Sequence, residues 1–184
     1  MLPEATFADA ASITAFWRAA GPQSWFSKNA AFDDVFRARF LSLHEQAARG
    51  ELDHWLDDAE GALALLLLLD QFPRNCFRGS PRMYASDAQA RAAAARVIET
   101  GLDLRIEPEL RLFIYLPFAH SEALADQDYS VALQRPLGEE PLRHAEGHRD
   151  IIRGFGRFPH RNEILGRIST PEEAAFLAAG GFAG

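Results

Sequence analysis

The apolar residues of this chain recur every three or four positions and almost never alternate, and that spacing excludes most folds before any motif is weighed. Phe32, Phe36, Phe40, Leu43 and Ala47 lie one helical turn apart, and Gly50 is placed to stop the helix they define. Val occurs only three times in 184 residues, so the β-branched alternation that marks strands is nearly absent. The run from Ala59 to Asp70 is apolar around most of its circumference, which predicts a helix near the centre, and its core from Ala62 to Leu69 is wholly apolar. At eight residues it falls far short of the ~20 needed to span a bilayer, so no membrane segment is expected.

Start and stop signals divide the rest of the chain into helices. Asp57 and Asp58 precede the central run, and Pro73 ends or kinks it. Ser86 with Gln89 reads as a capping box opening a helix that runs through Val97 and Ile98 to Gly101. Pro108 begins another, with Leu110, Phe113 and Ile114 on its apolar face, and this helix should stop before Pro117. Pro141 opens a further helix, and Thr170, Pro171 and Glu173 announce the last one, with Gly180 as its stop. With short helices around residues 6 to 20 and 121 to 134 the count is seven to nine. No linker, low-complexity stretch or regular 34-residue period interrupts the pattern, so a single helical domain over 1–184 is expected. A chain of this length can build its core without cross-links.

Composition narrows the function classes. A formal net charge of -7 disfavours nucleic acid as the main partner. The lone Cys76 can form neither an internal disulfide nor a zinc quartet, which fits a reducing compartment. The opening MLPEATFADAAS has no basic or apolar leader, so a cytoplasmic location is expected. Gly154 and Gly156 match no dinucleotide fingerprint, because position 159 is Pro, and no cofactor is implied.

The charge is unevenly spread. From Arg143 to Arg167 six arginines face three acids, so this segment is +3 while the remainder is about -10. Eighteen of the 19 basic residues are Arg, which also suits a GC-rich genome using Arg as a generic cation. Arg is the better residue for bidentate contact with carboxylate or phosphate, so the cluster reads either as an anion site or as half of a salt-bridge network with Asp70 and Glu122. His144 and His148 are four apart and could chelate a metal if His120 or Glu122 supplied a third ligand. No motif supplies it, and no metal ligands are assigned. His120 and Glu122 flank Ser121 after a proline-bearing helix. Without a nucleophile elbow a serine triad is not supported; Ser121 reads as an N-cap, and acid or base chemistry would fall to His120 with Glu122. Phe72-Pro73-Arg74-Asn75 returns, with one insertion, as Phe158-Pro159-His160-Arg161-Asn162. The echo reflects either shared turn chemistry at two helix ends or two Arg-Asn pairs set around one cavity.

The segments 65–90, 113–127 and 148–177, together with Phe16-Trp17, Trp25-Phe26-Ser27-Lys28 and Trp55, resemble domain-of-unknown-function family nine-two-four, a bacterial family. The resemblance covers nearly the whole chain. It implies an all-α, tetratricopeptide-like stack of helical hairpins, and it implies no activity. Its motif residues include Asp70, Arg74, Asn75, His120, Glu122, Gln127, His148, Arg157, His160, Arg161 and Asn162, the same polar groups singled out on chemical grounds.

Two classes of function follow, and a third possibility beside them. In the first, Arg74, Asn75, Gln127, Arg157, Arg161 and Asn162 hold a small anionic ligand while Asp70, His120, Glu122 and His160 move a proton, which leaves open whether the protein is an enzyme. In the second, a helical stack presents a groove to a protein or peptide partner. In the third, the same residues form a buried network that binds nothing.

Overall fold

The computed structural model describes residues 9–183, and every regular element among them is helical. The helices are α1 (Ala10–Ala20), α2 (Pro22–Trp25), α3 (Ala30–Ala48), α4 (Ala59–Leu66), α5 (Phe72–Cys76), α6 (Asp87–Glu99), α7 (Pro108–Ala119), α8 (Leu124–Gln134), α9 (Glu139–Phe155) and α10 (Pro171–Ala178). A π-helical turn, Leu67–Gln71, joins α4 to α5 without a break, so nine separate helices stand among the described residues. The sequence places the first helix from about residue 6, and residues 6–8 lie outside the described region. None of the described helices is long and apolar enough to cross a membrane.

Local signals act mostly as expected. Gly50 adopts a φ of 76°, and the amides of Gly50 and Glu51 return to the carbonyls of Ala47 (2.9 Å) and Gln46 (3.0 Å), closing α3 with a Schellman motif. Asp58 accepts the amide of Gly61 at 2.9 Å to open α4. Gly61 also permits close packing, because a Cβ there would lie 2.4 Å from the carbonyl oxygen of Trp55. Thr170 and Glu173 form the expected capping box of α10.

Three local expectations differ from what is observed. α7 runs through Pro117 to Ala119 instead of stopping before it, because one missing amide near the last turn costs less than breaking a helix whose residues 113–119 are all buried. Ser86 precedes α6 but makes no capping bond to it; its hydroxyl donates instead to the carbonyl of Leu69 at 2.6 Å. Ser121 is not the N-cap of α8, which is Ala123. Its oxygen accepts the Ala123 amide at 3.2 Å, and its hydroxyl donates to Asp126 at 2.6 Å.

The chain divides into two compact units, one of residues up to 78 with 82–114 and one of residues 79–81 with 115 onward. In the first, α4 and the π turn form the centre, and Ala62 to Leu68 are wholly excluded from solvent. α1 and α6 pack on α4, and α3 packs on α5. Rings fill the remaining space: Trp17 stands edge-on to Phe113 at 5.3 Å between centroids, and Phe36 edge-on to Phe72 at 5.1 Å. Such pairs add about 0.5–1.5 kcal/mol each beyond their burial. The second unit, in which α8 packs along α9, has a different interior. Leu116, Phe118, Val131, Ala145, Ile152 and Phe158 are buried there beside Gln127, Ser130, Gln134, Arg161, Asn162 and Glu173. Buried polar groups must find partners, so this unit carries a hydrogen-bonded network where the first carries a packed aromatic core.

Candidate functional site

The polar residues singled out from the sequence fall into separate clusters. Asp70, Arg74 and Asn75 lie in the first unit. Pro73 has no amide to give the carbonyl of Leu69, and the π turn diverts the amide of Phe72 to Leu67, five residues back, away from Leu68. Side chains distant in sequence supply the missing donors for Leu68 and Leu69, and Arg74 adds one to Asp70. Nδ1 of His44 donates to Leu68 at 2.9 Å, Ser86 donates to Leu69, and Arg74 donates to Asp70 O at 3.0 Å. Arg74 also grips Asp87 through both terminal nitrogens (2.8 and 3.1 Å) and lies 3.2 Å from the carboxylate of Asp70, which is wholly buried. Burial works against the charge on Arg74, and the carboxylates of Asp70 and Asp87 more than restore it, so the guanidinium is held charged. Asn75 and Arg78 converge on Asp33 of α3, at 2.7 and 2.9 Å.

The remaining candidates lie in the second unit. The amide nitrogen of Gln127, fully buried, donates to the carbonyls of Ala119 (2.8 Å) and Ser121 (2.6 Å), groups left open where α7 ends. Arg161 donates to the neighbouring carbonyl of His120 at 3.0 Å and lies 4.5 Å above the ring of Phe158. Glu122 accepts both terminal nitrogens of Arg167 (2.7 and 3.0 Å) and the amide of Phe158 (2.8 Å). Burial alone would raise its pKa, yet these donors hold the carboxyl below its ordinary range, so Glu122 is a fixed anion. The chain of contacts continues. Arg167 Nε donates to Asn162 at 2.9 Å, Asn162 donates to Glu173 at 3.1 Å, and Arg157 grips Glu173 at 2.6 and 2.8 Å. Arg157, Arg161 and Asn162 are thus close in the fold, as their spacing suggests, but Arg157 spends its charge on Glu173.

Each copy of the Phe-Pro echo therefore finds partners within its own unit: the first in the carboxylates of Asp70, Asp87 and Asp33, the second in Glu173 for Asn162 and the His120 carbonyl for Arg161. Both prolines stand at the start of a helical turn, which is the shared feature.

Beside this network α9, α10 and the chain after α10 line a solvent-open cavity of about 400 Å³. Arg143, His144, His148 and Asp150 give its polar lining, and Ile151, Phe155, Phe176 and Phe182 its apolar walls. His148 lies edge-on to Phe182 at 4.7 Å and to Phe158 at 5.6 Å, and His160 meets Phe182 at 5.1 Å. The Nδ1 atoms of His148 and His160 are both buried and make no hydrogen bond within the protein. Burial first, and then His120, His144, Arg161 and His160, push His148 down to about 3; burial first, and then Arg161, push His160 down to about 4. Both rings are neutral at ordinary pH. Among the described residues no three His, Cys, Asp or Glu side chains gather as a metal site.

In the sequence Arg143 and Arg167 stand out only as two of the six clustered arginines, and the three cavity phenylalanines not at all. Glu173 was visible only as a helix cap, and nothing local signals that its second oxygen meets a guanidinium 16 residues back.

Fold and site together define an all-helical protein with a histidine- and arginine-lined pocket in its second unit. The chain belongs to the family of bacterial proteins of unknown function DUF924, whose pattern matches residues 13–181. It is similar to a protein of unknown function from Agrobacterium tumefaciens, with 56% identity, a TM-score of 0.92, and coverage of 93% of this chain and 97% of that one. No curated protein matched the chain.

Proposed function

We propose that the protein binds a small anion in the cavity of α9, α10 and the following chain. The supporting observation is the pair of buried imidazoles, His148 and His160, whose Nδ1 atoms lack a partner and which both lie near the guanidinium of Arg161. Orphaned buried polar atoms cost stability, and an anion would repair that cost by accepting from a protonated ring. Arg143, at the cavity mouth, supplies a permanent charge. Of the groups with a role in this reading, His148, His160, His120 and Arg161 stand at or beside the cavity. Glu122, Arg157 and Asn162 brace the turn that carries His160, Gln127 holds the end of α7 beside His120, and Asp70, Arg74 and Asn75 are engaged in the other unit. With Glu122 held as an anion by Arg167 and the Asp70 carboxylate taken up by Arg74 and Gln71, the geometry favours binding over acid or base catalysis.

The test is thermal unfolding of the full chain with formate, acetate and phosphate at about pH 6. Saturation at about 100 times the dissociation constant should stabilise by about 2.7 kcal/mol, a shift of several degrees. His148→Phe, close in size and unable to take a proton, should abolish the shift. An unchanged melting temperature in the wild type with all three anions refutes the reading.

A further inference from the structure

Resting on that small-anion reading, we infer that the ligand is a monocarboxylate carried on an apolar body about the size of one ring. The cavity volume, about 400 Å³, is near the lower end of small-molecule sites, which run from about 300 to 1,000 Å³. Its composition is divided. Phe155 and Phe176 lie 5.0 Å apart between centroids and form one wall with Ile151. Phe182 forms another and remains 43% exposed, although an aromatic ring this near a core gains by being covered. An inorganic anion would leave these surfaces wet, whereas a ring or short alkyl chain would cover them.

The charged end specifies the head group. Arg149, Arg153, Arg157 and Arg167 of the same segment each face a carboxylate. Arg143 has no ion-pair partner among the described residues and lines the cavity. Its planar guanidinium matches a carboxylate through two parallel bonds. Asp150 also lines the cavity, held only at 3.9 Å from Arg149 and from Arg153. A carboxylate can present both oxygens to Arg143 and turn its apolar body to the phenylalanines, whereas phosphate presents oxygens in every direction, some of them toward Asp150, so phosphate is disfavoured relative to carboxylate. The groups facing His148 are His144 from its own helix, His120 from the end of α7, and His160 and Arg161 from the turn after α9. None of these is acidic, and the one carboxylate in the cavity lining, Asp150, is shared with Arg149 and Arg153; an anion bound beside His148 therefore favours a proton on the ring, and binding draws one from solvent.

Isothermal titration of the full chain with benzoate, acetate and inorganic phosphate at about pH 6, in two buffers of different ionisation enthalpy, tests this. Benzoate should bind at least about tenfold more tightly than acetate, the worth of covering one ring face, with phosphate weakest and with net proton uptake. Phe182→Ala should narrow the gap between benzoate and acetate while acetate binding persists, which also shows that the variant is folded. Arg143→Gln should weaken both carboxylates together. Phosphate binding as tightly as benzoate overturns the carboxylate class and leaves the anion pocket standing. Equal affinity for benzoate and acetate overturns the apolar body, and no binding of any of the three overturns the pocket as well.

Discussion

Cys76 shows how a single residue's chemistry is decided by what surrounds it. It lies among Arg74, Arg78 and Asn75 in sequence, a cationic neighbourhood that would activate a thiol if it faced those groups. In the fold it is buried, with Sγ 3.7 Å from the carbonyl of Asp33, while Arg74 turns to Asp87 and Arg78 to the Asp33 carboxylate. Burial, and then the charge of Asp33, push the thiol up to about 12. At pH 8 its thiolate population should fall roughly a thousandfold below that of an exposed cysteine, so labelling by a thiol reagent should slow by about that factor and recover in denaturant. Rapid stoichiometric labelling of the native chain would contradict this placement. The same lesson holds for Arg157. Its charge was legible, but the carboxylate that answers it, Glu173, becomes a neighbour only when α10 folds back.

At the scale of elements, the turn between α4 and α5 is the most instructive. Proline at position 73 was readable as a disturbance, yet the helix does not end there. The chain instead widens by one residue into a π turn and lets His44 and Ser86 serve the carbonyls that have lost their own amides. Ser86 accordingly contributes to a helix 17 residues earlier, not to the one it precedes. Ser86→Ala should leave the buried Leu69 carbonyl unsatisfied and cost about 1–3 kcal/mol, seen as a lower denaturation midpoint at unchanged slope. Pro73→Ala returns an amide to that carbonyl, so the double variant should lose less on serine removal than the single one. Equal losses in both backgrounds would show that Ser86 acts elsewhere. Helix positions themselves were legible because apolar spacing and caps are local properties. The π turn was not, since its donors come from α3 and from the segment before α6.

For the molecule as a whole, the buried ionisable groups act in one direction. His148 and His160 stay neutral in the folded chain down to about 3 and about 4, whereas an unfolded histidine takes up its proton near 6.5. Between those limits the unfolded chain binds more protons, so their contribution is complete above about pH 6.5 and declines as the pH falls toward 4. Glu173, held at about 2 first by Arg157, adds a second decline below its ordinary value of 4.5. The melting temperature should therefore be level from pH 8 to about 6.5 and fall steadily below it, and His148→Phe should lose part of the fall between 6.5 and 4. A melting temperature unchanged between pH 7 and 4.5 would show that both rings are solvated.

What the amino-acid order determines by itself is the all-helical class, the places where most helices start and stop, and the set of polar residues that matter. These follow from periodicity and capping, whose physical range is a few residues. Which arginine meets which carboxylate was decided only by the tertiary structure. Ion pairs and cavities join groups far apart in the chain, so Arg157 and Glu122 are committed to partners while Arg143, in sequence only one of six clustered arginines, is left facing a cavity walled by Phe155, Phe176 and Phe182.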